Sequence, residues 1–342
     1  MDDQSVFPLT SKEWRKVCVE SERQTAQGLF YAALAYLPDA IYPPVEVVAH
    51  WQAFATSALK RNQEILTVTA SVCKRLKDAE VDAVLMKGQA VARYYEKPKL
   101  RACGDIDLYV PDESGFTAAV NLINKGRQQH KGADGSVSVL IDGVEVELHR
   151  HLIDIRHPKG KRTVSTLIKS EGYNEMPLIS DIKIKVPAPI VTLLLLNAHI
   201  MKHALTVGVG LRQFCDLARA YYVLYGHYDP VKLAHVLQES GMARWSDLLH
   251  LFLMELLGLP ADRLPYQPAQ GDSRVLLRKV MEWGNFGQHT LSWQEHASRH
   301  SSMKLHTMKR IICGLPFSMR IAPAETLYVI KNLLFGQKYK LI

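Results

Sequence analysis

The segment that most constrains the fold lies at 103–110 and reads CGDIDLYV. Residues two apart in an extended strand point to the same side of a sheet, so Asp105 and Asp107 share one face. Ile106 and Leu108 turn to the opposite face, where the burial of apolar side chains holds the strand in place. The segment therefore predicts a strand with one face in a hydrophobic core and two neighbouring carboxylates on the other.

Two carboxylates placed side by side repel each other, which raises one pKa or requires a cation between them. Mg²⁺ takes oxygen ligands and typically uses one or two carboxylates together with phosphate oxygens. We therefore predict a Mg²⁺ or Mn²⁺ site at Asp105 and Asp107. The alternative is a polar edge strand whose aspartates only contact solvent.

A second strand-like segment, VEVELHRH at 144–151, repeats the pattern with Glu145 and Glu147. A third acid beside the aspartate pair would let two metal ions be bridged, which is the arrangement used for in-line displacement at phosphorus. We expect Glu145 to be an exposed strand residue, whereas Glu147 is the better placed of the two as the third acid.

A glycine follows the short apolar run that precedes these strands, in the segment LMKGQA at 85–90. A glycine at a strand-to-helix turn lets backbone amides approach a phosphate, and the start of the helix adds favourable partial charge. A lysine beside it can contact the same phosphate directly. We predict nucleotide contacts at Lys87, Gly88 and Gln89.

The remaining sequence predicts helices on both sides of this region. Apolar residues recur at helical spacing before residue 80, and amphipathic helices separated by Gly and Pro signals follow Pro187. A DG turn between alternating segments predicts a β-hairpin in the middle of the chain. We expect an α+β fold with an N-terminal helical arm at 1–80, a small mixed-sheet α/β core at 81–186, and a C-terminal helical domain with a basic tail at 187–342.

The order strand, KG turn, helix, GDIDLYV and a later VELH strand resembles the polymerase-β-like nucleotidyltransferase superfamily. Within it, the chain is similar to uncharacterised bacterial nucleotidyltransferases with the approximate signature lKG…Y…R…DiDlLV…vDlH. The matching residues are Lys87, Gly88, Tyr94 or Tyr95, Arg101, Asp105, Asp107, Glu147 and His149. The core of the pattern covers 82–151, and two later helices resemble the family's His-rich helix and the R…D helix that follows it.

The resemblance implies a two-metal enzyme that moves a nucleoside monophosphate from an NTP, with ATP expected, and releases pyrophosphate. Asp105 and Asp107 would hold Mg²⁺, Glu147 would be the third acid, and Arg212 would lie near the nucleotide. The superfamily usually opens with a Gly-Gly or Gly-Ser pair, which this chain lacks. That departure motivates the alternative of a nucleotide-binding regulatory protein on the same fold without turnover.

Two arginines are candidates for phosphate contact. Arg101 lies in a loop four residues before Asp105, and the guanidinium fork matches phosphate oxygens, although an ordinary loop arginine is the alternative. Arg212 stands four residues before Asp216, a spacing that also predicts a salt bridge within one helix.

His199 and His203 lie four apart on one predicted helix face. The HExxH pattern of zinc enzymes is missing, and no cysteine stands at ligand spacing, so we expect a structural or substrate-facing role for this pair.

The net charge of +8 favours anionic partners, and the segment from 299 to 342 carries eight Lys or Arg residues against the single acid Glu325. The expected acceptor is a small hydroxylated molecule, a protein side chain or RNA, the last through this basic segment. The alternative interpretation of the basic segment is a solvated surface. Five scattered cysteines without CxxC spacing indicate reduced thiols. We expect a cytoplasmic protein with no membrane partner, because no long apolar stretch or signal peptide is visible.

Overall fold

The computed structural model describes residues 7–132, 134–179, 181–284 and 300–335. The strands are β1 (Val84–Leu85), β2 (Asp105–Tyr109), β3 (Gln129–Lys131), β4 (Val137–Ile141), β5 (Val144–His149), β6 (Tyr173–Pro177) and β7 (Lys183–Pro187). The helices are α1 (Ser11–Arg23), α2 (Gln27–Ala33), α3 (Val45–Asp78), α4 (Gln89–Ala92), α5 (Glu113–Asn124), α6 (Pro158–Glu171), α7 (Pro189–Leu205), α8 (Leu211–Leu224), α9 (Pro230–Glu239), α10 (Ala243–Leu257), α11 (Arg274–Trp283), α12 (His300–Ile321) and α13 (Pro323–Phe335).

The strands form one mixed sheet in the order β3-β4-β5-β2-β1-β7-β6. β2 pairs with β5 and β1 pairs with β7 in parallel, whereas the other neighbours are antiparallel. The predicted hairpin is confirmed as β4–β5, where Asp142 and Gly143 both have positive φ, as a tight two-residue hairpin turn requires. The α+β fold with helices on both sides of a mixed sheet is therefore confirmed.

One face of the sheet is apolar and packs against α3 and α5. The side chains buried there include Ile65, Val68, Val72 and Leu76 of α3, Phe116, Ala119 and Ile123 of α5, and Ile106, Leu108, Val139, Val144, Val146 and Leu148 of the strands. The predicted core face of β2 is therefore confirmed, and α3 forms the layer beneath the sheet. The domain boundaries at 80 and 186 stay predictions.

A second hydrophobic core joins α6 to the helices that follow the sheet. At its centre, 13 of the 17 residues of α7 are buried, which is typical of a helix covered on all sides. The residues before α7 hold elements that the sequence analysis did not predict, namely α6 and the hairpin β6–β7. Strand β6 reads YNEMP and has no apolar alternation, so pairing with β7 decides its conformation.

The C-terminal helices are tied to α6 by one buried carboxylate. Glu325 of α13 accepts hydrogen bonds from the backbone N–H groups of Arg156 and His157, at the start of α6. Of the predicted basic segment at 299–342, residues 299 and 336–342 lie outside the described residues. The prediction of RNA binding by this segment accordingly stays a prediction.

Acid is expected to weaken the fold through His250 of α10, which is fully buried in the helical core. Burial lowers the pKa of His250 to about 3. Because the unfolded chain takes up this proton near pH ~6.5 and the folded chain does not, stability present above that pH is lost as the pH falls towards the folded value. From this residue alone, about 2 kcal/mol should be lost between about pH 7.5 and 5.

Urea unfolding at the two pH values measures this loss. Glutamine can accept the hydrogen bond that the Tyr221 hydroxyl makes with His250 Nε2 at 2.9 Å, so His250→Gln should unfold with a smaller acid sensitivity than the wild type. The exposed His227 provides a matched control, and His227→Gln should behave as the wild type does. Equal acid sensitivity in His250→Gln and wild type would contradict the prediction.

Candidate active site

The predicted acids lie on the face of the sheet opposite the apolar core. Parallel pairing of β2 with β5 sets Asp107 beside Glu147 and Tyr109 beside His149 in register. Residues in register on neighbouring strands point the same way. One ligand atom each from Asp107, Glu147 and His149 lies within 4.8 Å of the others. The sequence predicted Asp105, Asp107 and Glu147 as the metal-binding set. In the described part of the structure, the three residues close enough to share an ion are Asp107, Glu147 and His149.

Asp107 is the buried centre of this set, with 3% of its surface exposed. Its Oδ1 lies 3.1 Å from Lys87 Nζ and 2.8 Å from His149 Nε2. Burial by itself would raise the pKa of Asp107, but the Lys87 charge and the His149 hydrogen bond hold it well below its usual range. Asp107 therefore stays ionised inside the fold.

Asp105 is more exposed and behaves in the opposite way. The negative charge of Asp107 is the largest cause that raises the pKa of Asp105 to about 6, and burial of the carboxylate adds to it. Glu145, the register partner of Asp105 on β5, is exposed as expected. The aspartate pair thus carries the mutual repulsion that the sequence predicted.

The KG turn lies beside the acids. The backbone N–H of Met86 donates to the carbonyl of Asp107, which fixes the end of β1 against β2. Gly88 follows with φ +60° and ψ −115°, and it precedes the single-turn helix α4. Lys87 and Gly88 line the cleft described below. Gln89 does not, because its side-chain amide donates to Asn62 of α3, 3.3 Å away.

Replacing Gly88 with alanine is expected to destabilise the protein by about 1–2 kcal/mol, because a Cβ is disfavoured at positive φ. The added Cβ would also lie 3.4 Å from the carbonyl oxygen of Asp105. Thermal unfolding measures the cost. Gly104→Ala is the matched control, since a Cβ there has no heavy atom within 4 Å, and it should unfold close to the wild type. Equal destabilisation of the two variants would show that the turn conformation is not the cause.

Arg101 is paired inside the protein. Its Nε and Nη2 donate to the two carboxylate oxygens of Asp216, at 2.8 and 2.6 Å, and only 5% of the residue is exposed. The Tyr95 hydroxyl donates to the same carboxylate at 2.8 Å. The predicted salt bridge between Arg212 and Asp216 is therefore wrong, because Asp216 turns towards Arg101. Arg212 instead donates to the carbonyl of Ala102.

A cleft of about 460 Å³ opens over the acids. The site face of β2 and β5, the loop at 101–104 and the helices α7 and α8 line it. Among the described residues, four cationic ones line it: Lys87 from the turn after β1, Arg101 from the loop, Lys202 from α7 and Arg212 from α8. The cleft therefore brings carboxylates and basic side chains together, which suits a metal ion together with a phosphorylated ligand.

His199 and His203 face this cleft from α7, with ring centroids 4.4 Å apart. Burial lowers the pKa of His203 to about 3, and burial followed by the nearby Lys87 charge lowers that of His199 well below its usual range. Both imidazoles are therefore neutral at physiological pH.

Comparison with known proteins gives one family match. The family model described as "Uncharacterised nucleotidyltransferase" matches residues 10–258. The chain belongs to this family. A search of curated proteins found no match. Among solved structures, the chain is similar to an antigenic nucleotidyltransferase-like protein from Paracoccidioides brasiliensis, with 12% sequence identity and a TM-score of 0.38 over 60% of this chain and 95% of that one.

Family membership makes this nucleotidyltransferase a transferase, and nucleoside monophosphate transfer is the general reaction of such enzymes. No helix in the described ranges has the length and apolar character needed to cross a membrane. The donor set of the nucleotidyltransferase fits a divalent cation, because two carboxylates and one imidazole converge within 4.8 Å and the central carboxylate is ionised.

Several residues of the nucleotidyltransferase site were not singled out for a site role from the sequence. His149 matched the family signature, and its position two residues after Glu147 already indicated a shared strand face. Asp134 and Lys202 line the cleft as an ion pair, with the Lys202 Nζ 3.4 Å from the Asp134 Oδ2. Their contact joins residues 68 positions apart, and no local sequence pattern indicates it.

Proposed function

We propose that this nucleotidyltransferase transfers AMP from ATP to an acceptor hydroxyl, with Mg²⁺ or Mn²⁺, and releases pyrophosphate. The observation that carries the proposal is the in-register placement of Asp107 and Glu147 on parallel strands, in a cleft that basic side chains also line. Asp105 stands two residues before Asp107, on the same face, and supplies a further carboxylate.

Separate residues would bind the metal, bind the triphosphate and position the loop before Asp105. Asp107 and Glu147 would hold the divalent cation, and Asp105 would contact the ion or its bound phosphate from beside them. When bound, the cation would neutralise charge on phosphate oxygens as the pyrophosphate leaves. Lys87 and Arg212 bind the triphosphate from two sides of the cleft. Arg101 and Asp216 hold the loop that leads into Asp105, so Arg101 acts by positioning that loop and not through a direct phosphate contact.

The proposal is tested by incubating the protein with ATP labelled at the α-phosphate, Mg²⁺ or Mn²⁺, and candidate acceptors. Label transfer with pyrophosphate release is expected for the wild type and not for the Asp105→Ala/Asp107→Ala variant. Equal transfer by both proteins would rule out this site. Calorimetry that finds ATP binding without pyrophosphate release under all conditions would favour the alternative of a nucleotide-binding regulatory protein.

The proposed acceptor is RNA, a small hydroxylated molecule or a protein side chain. The salt dependence of acceptor affinity distinguishes RNA from the other two. Affinity for RNA should fall steeply as salt is added if phosphate contacts dominate, whereas a small hydroxylated molecule or a protein side chain should show a flatter dependence. We also propose a cytoplasmic location, which the five free cysteines support.

Removing the Lys87 ammonium is expected to change metal and nucleotide binding in opposite directions. Lys87 Nζ contacts Asp107 Oδ1 at 3.1 Å, so it competes for that oxygen with an incoming cation. Lys87→Met should therefore bind Mn²⁺ more tightly in the absence of nucleotide. It should bind ATP about tenfold more weakly, because a charge-assisted hydrogen bond to phosphate is lost. Calorimetry of each ligand measures both changes, and a loss of Mn²⁺ affinity would contradict the competition.

A further inference from the structure

We propose that His149 Nε2 is a direct metal ligand, with Asp107 and Glu147 as the two carboxylate ligands, so that the site prefers Mn²⁺ or another transition ion to Mg²⁺. The inference rests on the proposed function only in that a divalent cation binds at these residues. It adds an imidazole ligand to a site that the sequence predicted to be wholly carboxylate.

The first support is the register of the sheet. His149 follows Glu147 by two residues on β5 and pairs with Tyr109 of β2, so its ring and the two carboxylates lie on one face. His149 Nε2 is 2.8 Å from Asp107 Oδ1 and 3.6 Å from Glu147 Oε2. A nitrogen and two oxygens at these separations can all reach a single ion.

The second support is the selection of donors. Among the described residues, the group of His, Cys, Asp and Glu side chains close enough to share a metal contains His149 and does not contain Asp105. The side chain of His149 is 14% exposed and that of Asp107 is 4% exposed, so both donors are held in place by surrounding structure. Asp105 is more exposed to solvent. In this proposal it contacts the ion or its bound ligand from beside the other donors.

The third support is that a positively charged side chain, the ammonium group of Lys87, already contacts the acidic residues of the site. Lys87 Nζ approaches the same Asp107 oxygen that His149 Nε2 contacts. The acidic neighbours Asp107, Asp105 and Glu147 all interact favourably with that ammonium. Positive charge is therefore favoured at this position.

Ligand chemistry then decides the metal preference. Mg²⁺ is bound by oxygen ligands and water, whereas imidazole suits transition ions such as Zn²⁺, Fe²⁺ and Ni²⁺. The affinity of a given site for divalent transition ions rises from Mn²⁺ through Fe²⁺ and Ni²⁺ to Cu²⁺. Mn²⁺ accepts carboxylate oxygen as Mg²⁺ does, and it also binds imidazole. A site with one imidazole and two carboxylates thus discriminates against Mg²⁺. The competing interpretation is that His149 only donates its N–H to Asp107 and orients that carboxylate from outside the metal shell.

Electron paramagnetic resonance of the full chain with Mn²⁺ alone distinguishes these interpretations. Loss of the free Mn²⁺ signal reports binding, and pulsed spectra report whether an imidazole nitrogen is coupled to the bound ion. The wild type is expected to show the nitrogen coupling. His149→Asn, which can keep a hydrogen bond to Asp107, should lose the coupling and bind Mn²⁺ about tenfold more weakly. Its preference for Mn²⁺ over Mg²⁺, from competition titrations, should shrink.

His199→Asn is the matched control, because it removes a different imidazole of the same cleft and should keep the nitrogen coupling. Bound Mn²⁺ without nitrogen coupling in the wild type, or coupling that survives in His149→Asn, would overturn the inference and leave the proposed function intact. No Mn²⁺ binding at all would overturn the inference and the proposed metal dependence together.

Discussion

Asparagine in place of Asp107 is expected to lower nucleotidyl transfer by about a thousandfold, because a metal ion supplies several kcal/mol of transition-state stabilisation and each 1.36 kcal/mol is tenfold in rate. Asp107 is the acid that contacts both Lys87 and His149, and its low pKa keeps it ionised for a cation. Asparagine has nearly the same size and can accept from Lys87, so the fold should survive. Initial rates of label transfer from ATP at saturating Mn²⁺ measure the effect.

Glu145→Gln is the matched control for this variant. Glu145 lies on β5 two residues before Glu147, and it is exposed. Removing its charge should change the rate by about twofold or less, because exposed charges are screened by solvent. A thermal unfolding curve for each variant separates lost chemistry from lost structure. Near wild-type transfer by a folded Asp107→Asn protein would place the reaction elsewhere.

Asp216→Ala is expected to be the most destabilising substitution considered, at about 3–5 kcal/mol, because it leaves the buried Arg101 guanidinium without its counter-charge. The carboxylate of Asp216 accepts from Arg101 Nε, Arg101 Nη2 and the Tyr95 hydroxyl, and 2% of the residue is exposed. The loop that leads into Asp105 is anchored by this pair, so activity should fall as well. Urea unfolding measures the free-energy change.

Two further variants separate the buried pair from ion pairs in general. Asp78 and Lys74 form an exposed pair on α3, with a 2.7 Å contact, and Asp78→Ala should cost only about 0.3–0.5 kcal/mol. Arg101→Met/Asp216→Leu removes both buried charges and should recover much of the stability that Asp216→Ala loses, because no unpaired charge remains. A loss below about 1 kcal/mol in Asp216→Ala would show that the pair does not hold the loop.

Local patterns in the sequence predict the parts of the site that depend on side-chain direction. Alternation along Asp105–Tyr109 indicates which face is apolar, and the structure buries Ile106 and Leu108 at 1% and 0% exposure on that face. The glycine at a strand-to-helix turn is likewise a local prediction, and Gly88 lies between β1 and α4 with a positive φ. Neither feature needs a distant partner, because φ, ψ and the pleat of a strand set side-chain direction.

The errors and omissions concern contacts between distant segments. Arg101 and Asp216 are 115 residues apart, and the spacing of Arg212 and Asp216 in one helix pointed to the wrong partner. The hydrogen bond from the Gln89 side-chain amide to Asn62 of α3 also has no local signal in the sequence, and the nucleotide contact of Gln89 stays a prediction. Edge strand β6 has no alternation of apolar and polar residues, and its extended conformation is set by hydrogen-bonded pairing with β7.

The sequence by itself determined that this protein has a strand with two carboxylates on one face, a glycine turn before it and a later acidic strand. These follow from periodicity and backbone sterics, which act within a few residues. Only the tertiary structure decided that β2 and β5 pair in register, that His149 joins Asp107 and Glu147, and that Asp216 pairs with Arg101. Such choices depend on the burial of charges and on pairing across long sequence separations, and those energies exist only once the chain has packed.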